Sequence, residues 1–128
     1  MNPAAAGKTY PATTFTVHPQ RVAAFREIFD EPEGVPATFV TVAEFAVMPQ
    51  IVADPDLGLD FSRVLHGNQE YEFRRPLRPG ETLQVRTQLG SIRVFGGNAF
   101  LVVVTELVDP DGDVVCTARS TIIERAGD

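Results

Sequence analysis

His66 and Cys116 are the side chains with the most obvious capacity for proton transfer or nucleophilic attack near neutral pH. His66 stands at the start of an apparent strand, and Glu70 follows four residues later. The two would share a strand face at roughly 13 Å, too far for a direct acid/base pair. His66 is still the best acid/base candidate, but a structural role, in which its ring bonds to backbone near Gly67, is the favoured interpretation.

The remaining reactive types have structural explanations. His18 precedes Pro19, a proline typical of the first turn of a helix. Cys116 lies among apolar residues, which is typical of a buried, unreactive thiol. The acids Asp30, Glu31 and Glu33 suit a solvated loop, although one could supply a carboxylate. Cysteines, histidines and carboxylates do not cluster at ligand spacing, so we expect no metal and no cofactor.

One stretch must position the other elements. Residues 35–52 read VPATFVTVAEFAVMPQIV and are apolar on nearly every side, which predicts a helix buried all round. Thr38 is a candidate N-cap, and Thr41 with Glu44 offers a competing capping-box spacing. Pro49 removes a backbone donor, which predicts a kink or an end just before it.

A sheet to enclose this helix follows in the second half of the chain. Gly90 shifts the alternation of apolar residues by one, which predicts a bulge or bend. The stretch 99–104 (AFLVVV) is apolar on both faces and predicts a central strand covered on both sides. Predicted strands cover about 13–17, 65–74, 83–94, 99–104 and 114–123. An amphipathic helix is predicted to begin at Pro19, and its apolar face contains Val22, Phe25, Ile28 and Phe29.

The order of elements predicts a single α+β domain over 1–128, an antiparallel sheet wrapped around one long buried helix. Residues 1–12 read as loose, and 126–128 as a frayed tail. Since strands and helices do not alternate, a doubly wound fold is disfavoured. The uncovered apolar face of the sheet predicts a second subunit.

Composition narrows the function further. The 128 residues are 44% hydrophobic and 22% charged, with one cysteine and a net charge of -6. This balance disfavours nucleic acid as a partner, and the single cysteine suits a reducing compartment. Neither a signal peptide nor a membrane span is visible, so we expect a cytoplasmic protein. A local basic run, Arg74, Arg75 and Arg78, suits a phosphate or an acidic partner as well as simple solubility.

Two stretches carry a resemblance to a known family. One is Pro36-Ala37-Thr38-Phe39 at the start of the central helix. The other is 65–83, LHGNQEYEFRRPLRPGETL, in which a strand ends in arginine and proline and a Pro-Gly-acid turn leads to the next strand. From about Gly7 to Glu124 the chain resembles the N-terminal, fatty-acid-synthase-like branch of the MaoC-type (R)-specific hydratases and dehydratases. The resemblance implies a hot-dog fold.

Catalytic members of that family add water reversibly to a 2-enoyl thioester of coenzyme A or acyl carrier protein. They use an Asp and a His in a pattern like Asp-x-Asn-Pro-x-His before the central helix. With Asp30 on the aspartate, Val35 falls where the histidine would stand. We therefore transfer no catalytic residue. The resemblance implies instead an acyl-thioester groove and a homo- or heterodimer with another hot-dog subunit.

Three functions remain open. The first is a non-catalytic subunit that shapes the acyl tunnel for a dyad-bearing partner. The second is a self-sufficient homodimeric hydratase or thioesterase, with Glu44 and His66 as weak catalytic candidates. The third is an acyl-thioester binding module without chemistry. The expected substrate-binding residues are Pro36, Thr38, Phe39, Phe45, Met48, His66 and Gly67, and the expected phosphate- or carrier-binding residues are Arg74, Arg75 and Arg78.

Overall fold

A computed structural model describes residues 1–30 and 33–127. Short 3-10 turns occur at Pro3–Ala5, Ala37–Phe39 and Phe61–Arg63. The main elements in chain order are β1 (Thr13–Thr16), α1 (Pro19–Phe29), α2 (Val40–Val52), β2 (Val64–Phe73), β3 (Thr82–Phe95), β4 (Asn98–Val108) and β5 (Val114–Glu124).

The strands form one sheet in the order β1-β3-β4-β5-β2, and every neighbouring pair is antiparallel. β4 is the central strand, as predicted, and alternate residues such as Leu101, Val103 and Leu107 are buried in a core shared with α2. The opposite face of β4 is half-buried, and the described part of this chain does not supply the second cover that was predicted for it. The α+β architecture of a sheet around one helix is confirmed.

Two irregularities bend the sheet. The β3–β4 register shifts between Leu89 and Ile92, which confirms the bulge predicted at Gly90. A Cβ on Gly90 would lie 3.0 Å from the carbonyl oxygen of Val102, so the close approach of β4 favours glycine at this position. A second shift, between His66 and Asn68 on β2, was not predicted.

α2 differs from the expected helix in two ways. It buries one face, including Val40, Val47 and Ile51, but Phe45 is 68% exposed. The prediction of burial all round is wrong, because the sheet of one chain covers only one side of the helix. The end predicted just before Pro49 is wrong, because α2 continues through Pro49 to Val52; Pro49 is an exposed residue of the last turn.

The predicted caps of α2 are also absent. Thr38 is exposed and gives no side-chain cap; its carbonyl instead accepts a hydrogen bond from the hydroxyl of Thr41. The 3-10 turn Ala37–Phe39 directly precedes α2 and takes the place of a capped helix start. Glu44 does not turn back to form a capping box, because its side chain points toward the sheet.

The first twelve residues are not loose. The backbone of Gly7 and Lys8 bonds to Leu89 at 2.8 Å on β3. Lys8 Nζ lies 2.7 Å from Asp54 Oδ2, and the Tyr10 hydroxyl donates to the same oxygen at 2.8 Å. The segment therefore ties β3 to the loop after α2 through polar contacts between distant positions. At the other end, Ala126 N donates to Asn98 Oδ1 at 2.8 Å, and Asp128 lies outside the described residues.

Asp54 gives this tie a pH dependence. Hydrogen bonds from Lys8 and Tyr10 lower the pKa of the Asp54 carboxyl from 3.8 to about 2. The contribution is fully present above the ordinary pKa and is lost as the pH falls toward the folded-state pKa. We expect Asp54→Asn to reduce stability at pH 6 and to flatten its decline between about pH 4 and 2, measured by urea unfolding at several pH values.

Asp56→Asn is the matched control. Asp56 also contacts Lys8, at 2.9 Å, but its side chain is 74% exposed. This substitution should leave the decline of stability between about pH 4 and 2 nearly unchanged. If the stability of Asp54→Asn falls with pH as steeply as that of the wild type, Asp54 is not the group that causes the decline.

Candidate functional site

A cavity of about 600 Å³ opens between α2, β2 and β5. Glu44, near the start of α2, contacts Gln69 and Tyr71 on β2. This arrangement divides the wall into a polar and an apolar end. The polar end contains Thr41, Glu44, His66, Gln69 and Ser120, and the apolar wall contains Phe45, Met48, Pro49, Val52, Leu59, Phe61, Val64 and Ile122.

Glu44 is the centre of the polar end, and it is only 7% exposed. Gln69 Nε2 lies 3.2 Å from both carboxylate oxygens, the Tyr71 hydroxyl donates at 3.2 Å, and the Ser120 hydroxyl lies at 2.8 Å. A buried carboxylate is costly unless such donors surround it. Burial and the charge of Glu44 raise the pKa of Tyr71, which keeps the phenol protonated as a donor. Glu44 thus joins α2 to β2 and β5.

His66 reaches the same cavity because of the shift in β2. The extra residue at Gly67 places His66, Gln69 and Tyr71 on the inner face. His66 Nε2 lies 3.1 Å from Gln69 Oε1. The expectation that His66 and Glu70 share a face is wrong, because a regular strand was assumed; Glu70 is exposed and contacts Asn68 at 3.4 Å.

Gln69 is the residue that reasoning from the sequence missed. It connects His66 to Glu44 and also contacts the hydroxyl of Ser120. A glycine inside an alternating strand was the available signal, since such a glycine often marks a bulge. Once the bulge is placed at Gly67, the pattern puts His66 and Gln69 on one face.

Comparison with known proteins defines the family. Residues 5–118 match the model of the FAS1-like dehydratase domain region. The chain belongs to this family. A UPF0336 protein of Saccharopolyspora erythraea is 34% identical over 93% of this chain and 88% of its own length. Another, from Streptomyces avermitilis, is 34% identical over 95% of this chain and 93% of its own length.

Solved structures confirm the hot-dog fold. A chain of the C-terminally truncated HadBC (3R-hydroxyacyl-ACP dehydratase) complex from Mycobacterium tuberculosis superposes with a TM-score of 0.81 at 20% identity, over 93% of this chain and 96% of that one. A MaoC-like dehydratase from Phytophthora capsici gives 0.78 at 22% identity, and this chain spans 52% of it. The predicted resemblance to MaoC-like dehydratases is therefore confirmed.

The loop before α2 is where catalytic members of such enzymes were expected to carry their dyad. Asp30 ends α1 with a left-handed backbone (φ 53°), and Val35 is half-buried. Glu33 is exposed, while Glu31 and Pro32 lie outside the described residues. The sequence has histidines only at 18 and 66, so this loop has no imidazole.

The remaining substrate-binding predictions separate into two groups. Phe45 and Met48 line the cavity together with His66. Phe39 is 1% exposed and packs edge-on against Phe25, so it is a core residue rather than a cavity wall. The residues that the structure places away from the described cavity wall are buried Pro36, exposed Thr38, core Phe39 and the bulge residue Gly67.

The three predicted anion-binding arginines differ in their surroundings. Arg75 donates to both carboxylate oxygens of Glu81, at 2.7 and 3.0 Å. Arg74 and Arg78 are exposed. His18 is the exposed N-cap residue of α1 and makes no side-chain cap bond.

Two classes of site are not found in the part of the chain that the structure describes. Within residues 1–30 and 33–127, no group of three or more histidine, cysteine, aspartate or glutamate side chains could hold a metal ion. None of the helices in the same residues is long and apolar enough to cross a membrane.

Cys116 provides a test of the core beside the site. Burial, and secondarily the charge of Glu44, raises the pKa of its thiol to about 12. A buried thiol of this kind resists alkylation because the thiolate is the reactive form. We expect iodoacetamide at pH 8 to label the folded protein negligibly and the urea-unfolded protein completely, as measured by mass spectrometry. Rapid labelling of the folded protein would show that Cys116 is accessible.

The Glu44 cluster makes a second prediction. Ser120→Ala removes a donor from a buried carboxylate and should lower the free energy of unfolding by about 1.5–3 kcal/mol, measured by urea titration. Ser62→Ala is the matched control, because the Ser62 hydroxyl bonds to Asp60 at 2.6 Å on the surface. The control should change stability by no more than about 0.5 kcal/mol. Equal losses in the two variants would refute a special role for the cluster.

Proposed function

We propose that this chain is a non-catalytic subunit of an (R)-specific 2-enoyl-thioester hydratase / 3-hydroxyacyl-thioester dehydratase. In this proposal its cavity holds the acyl chain while a partner subunit provides the Asp/His dyad. The observation that carries the proposal is an apolar cavity beside α2 in a dehydratase-family chain whose 30–35 loop has no histidine. Coenzyme A and acyl carrier protein are both suitable carriers of the acyl group.

The edge of the sheet supports a partner. β2 is the last strand in the sheet order and is ten residues long, so one of its backbone edges pairs with no other strand within residues 1–30 and 33–127. Free edges pair readily with other strands. Phe45 and Phe61, at 68% and 60% exposure, lie in the wall of the adjacent cavity. A homo- or heterodimer that pairs through β2 would bury these side chains and close the cavity.

The similar structures are consistent with such a pair. One is a HadBC complex, and a MaoC-like dehydratase with a TM-score of 0.83 is a longer chain of which this chain spans 43%. A second module in one longer chain and a separate second subunit are two ways to provide the same missing half. We infer that this protein uses a separate hot-dog subunit, in the cytoplasm and in fatty-acid metabolism.

The exposed arginines suit the carrier of the acyl group. Arg74 and Arg78 are open to solvent, whereas Glu81 occupies Arg75. Guanidinium groups bind phosphate and carboxylate oxygens well, so Arg74 and Arg78 would meet the phosphate of coenzyme A or of a phosphopantetheine arm. Arg75 would then maintain the turn that presents them.

A second candidate is a self-sufficient homodimeric hydratase or thioesterase. The observation that favours it is that Glu44 and His66 line one cavity and both bond to Gln69. An acid/base pair that approaches one substrate needs such proximity. In that case the purified chain alone would turn over acyl-CoA, and Glu44→Ala and His66→Ala would remove the activity.

Co-expression tests the first proposal. The chain should form a stable complex with a MaoC-type protein that carries Asp-x-Asn-Pro-x-His and is encoded beside it. The complex should hydrate crotonyl-CoA, while this chain alone should not. Failure to associate with any such protein, or full activity of this chain alone, would overturn the proposal. If the chain is instead a binding module without chemistry, it should bind an acyl thioester and show no turnover, either alone or in any partner complex.

A cavity variant tests the role of the acyl tunnel. Met48→Trp should fill the apolar end and reduce the activity of the complex on decenoyl-CoA at least tenfold, with a smaller effect on crotonyl-CoA. Ile28→Trp is the matched control, because Ile28 is 75% exposed on α1 and does not line the cavity. Equal effects on both chain lengths would show that the cavity does not hold the acyl chain.

A further inference from the structure

The orientation of Gln69 follows from its two neighbours. Its Nε2 lies 3.2 Å from each oxygen of Glu44. An ionised carboxylate only accepts hydrogen bonds, so the amide must turn its NH₂ group toward Glu44. Its carbonyl oxygen, Oε1, then faces His66. Glu44 therefore fixes which end of the amide the imidazole meets.

This orientation selects one tautomer of His66. Oε1 of Gln69 is an acceptor, so the nitrogen 3.1 Å away, Nε2, carries the hydrogen. In the neutral ring the other nitrogen, Nδ1, is then an acceptor with a free lone pair. Within residues 1–30 and 33–127, Nδ1 has no hydrogen-bond partner. His66 is exposed and lies in the cavity wall, so this acceptor is accessible to a ligand.

Glu44 itself is not available to a ligand in the same way. Gln69, Tyr71 and Ser120 already occupy both of its oxygens. The single proton of the Ser120 hydroxyl is also used, because it donates either to Glu44 or to Gln69 Oε1. Nδ1 of His66 is thus the strongest acceptor that the polar end leaves free.

The position of His66 matches a particular ligand group. In the β2–β5 register His66 lies opposite apolar Ile122, whereas Gln69 lies opposite Ser120. His66 therefore stands where the polar end of the cavity meets the apolar wall. A 3-hydroxyacyl thioester has the same order of groups, since its hydroxyl separates the polar thioester from the hydrocarbon tail.

We propose that His66 Nδ1 accepts a hydrogen bond from the 3-hydroxyl of a 3-hydroxyacyl thioester in the cavity. Gln69 and Glu44 act as positioning residues that hold the ring in the Nε2–H tautomer. The proposal rests on the function proposed above, in that the cavity holds an acyl chain. It makes this chain the subunit that distinguishes a hydroxyacyl group from an acyl group without the hydroxyl.

Matched ligands test the hydroxyl contact. The purified full chain is titrated calorimetrically with (3R)-3-hydroxydecanoyl-CoA and with decanoyl-CoA. We expect the wild type to bind the hydroxylated ligand about tenfold more tightly, because a site built around a hydroxyl discriminates against its absence. His66→Ala should abolish this preference, because it weakens binding of the hydroxylated ligand more than binding of decanoyl-CoA. His66→Asn, which can place an oxygen near the position of Nδ1, should restore part of it.

His18→Ala is the control, since His18 caps α1 outside this cavity wall. It should retain the preference in full. A preference that survives His66→Ala, or the absence of any preference in the wild type, would overturn the inference. So would a failure of the chain to bind either thioester.

The tautomer is a second and independent measurement. Ring ¹⁵N shifts of labelled protein, assigned with His18→Ala, should show Nε2 of His66 protonated and Nδ1 unprotonated near neutral pH. Gln69→Leu should remove this bias while the backbone spectrum stays folded. A wild-type ring protonated on Nδ1 would refute the mechanism. If the hydroxyl preference fails but decanoyl-CoA binds and the complex remains active, the inference falls while the proposed function stands.

Discussion

The buried carboxylate of Glu44 is the interaction on which the rest of the site depends. It lies on α2, which packs one face against the sheet, and accepts hydrogen bonds from residues of β2 and β5. A charge in this position is tolerated only because several donors replace the lost water. The same donors fix the edge strand against the helix, so the cavity between them has a defined width and one defined polar end.

The geometry around Glu44 requires an irregular sheet. In a regular β2, His66 and Gln69 would point to opposite faces, because side chains alternate along a strand. The extra residue at Gly67 brings both to the inner face. The shift at Gly90 has a different effect, since it lets β3 bend closely over β4. The bulge at Gly67 therefore brings the site residues together, and the shift at Gly90 bends the sheet.

Much of this fold follows from local patterns in the sequence. The alternation in 65–74 and 83–94, the two-faced apolar run at 99–104 and the parity shift at Gly90 correctly predict the strands, the central position of β4 and one bulge. These features depend on neighbouring residues, so they are visible without a structure. The family resemblance, which rests on 36–39 and 65–83, is likewise confirmed.

The features that the sequence did not predict depend on distant contacts. The ordering of residues 1–12 needs Asp54 and Leu89, which are far away in the chain. The exposure of Phe45 reflects how much of α2 one sheet can cover. Gln69 looked like an ordinary polar strand residue, because its role exists only when Glu44 and His66 approach it from other elements.

The tie between the N-terminal segment and the loop after α2 has a consequence for dynamics. Asn2 N bonds to Leu57 O at 2.7 Å, and the same loop continues to Leu59 and Phe61 in the apolar wall of the cavity. Local opening of the first residues would therefore loosen that wall, and a ligand that packs against the wall would disfavour the opening. Amide exchange in the first ten residues thus becomes a reporter of cavity occupancy, at a distance from the ligand itself.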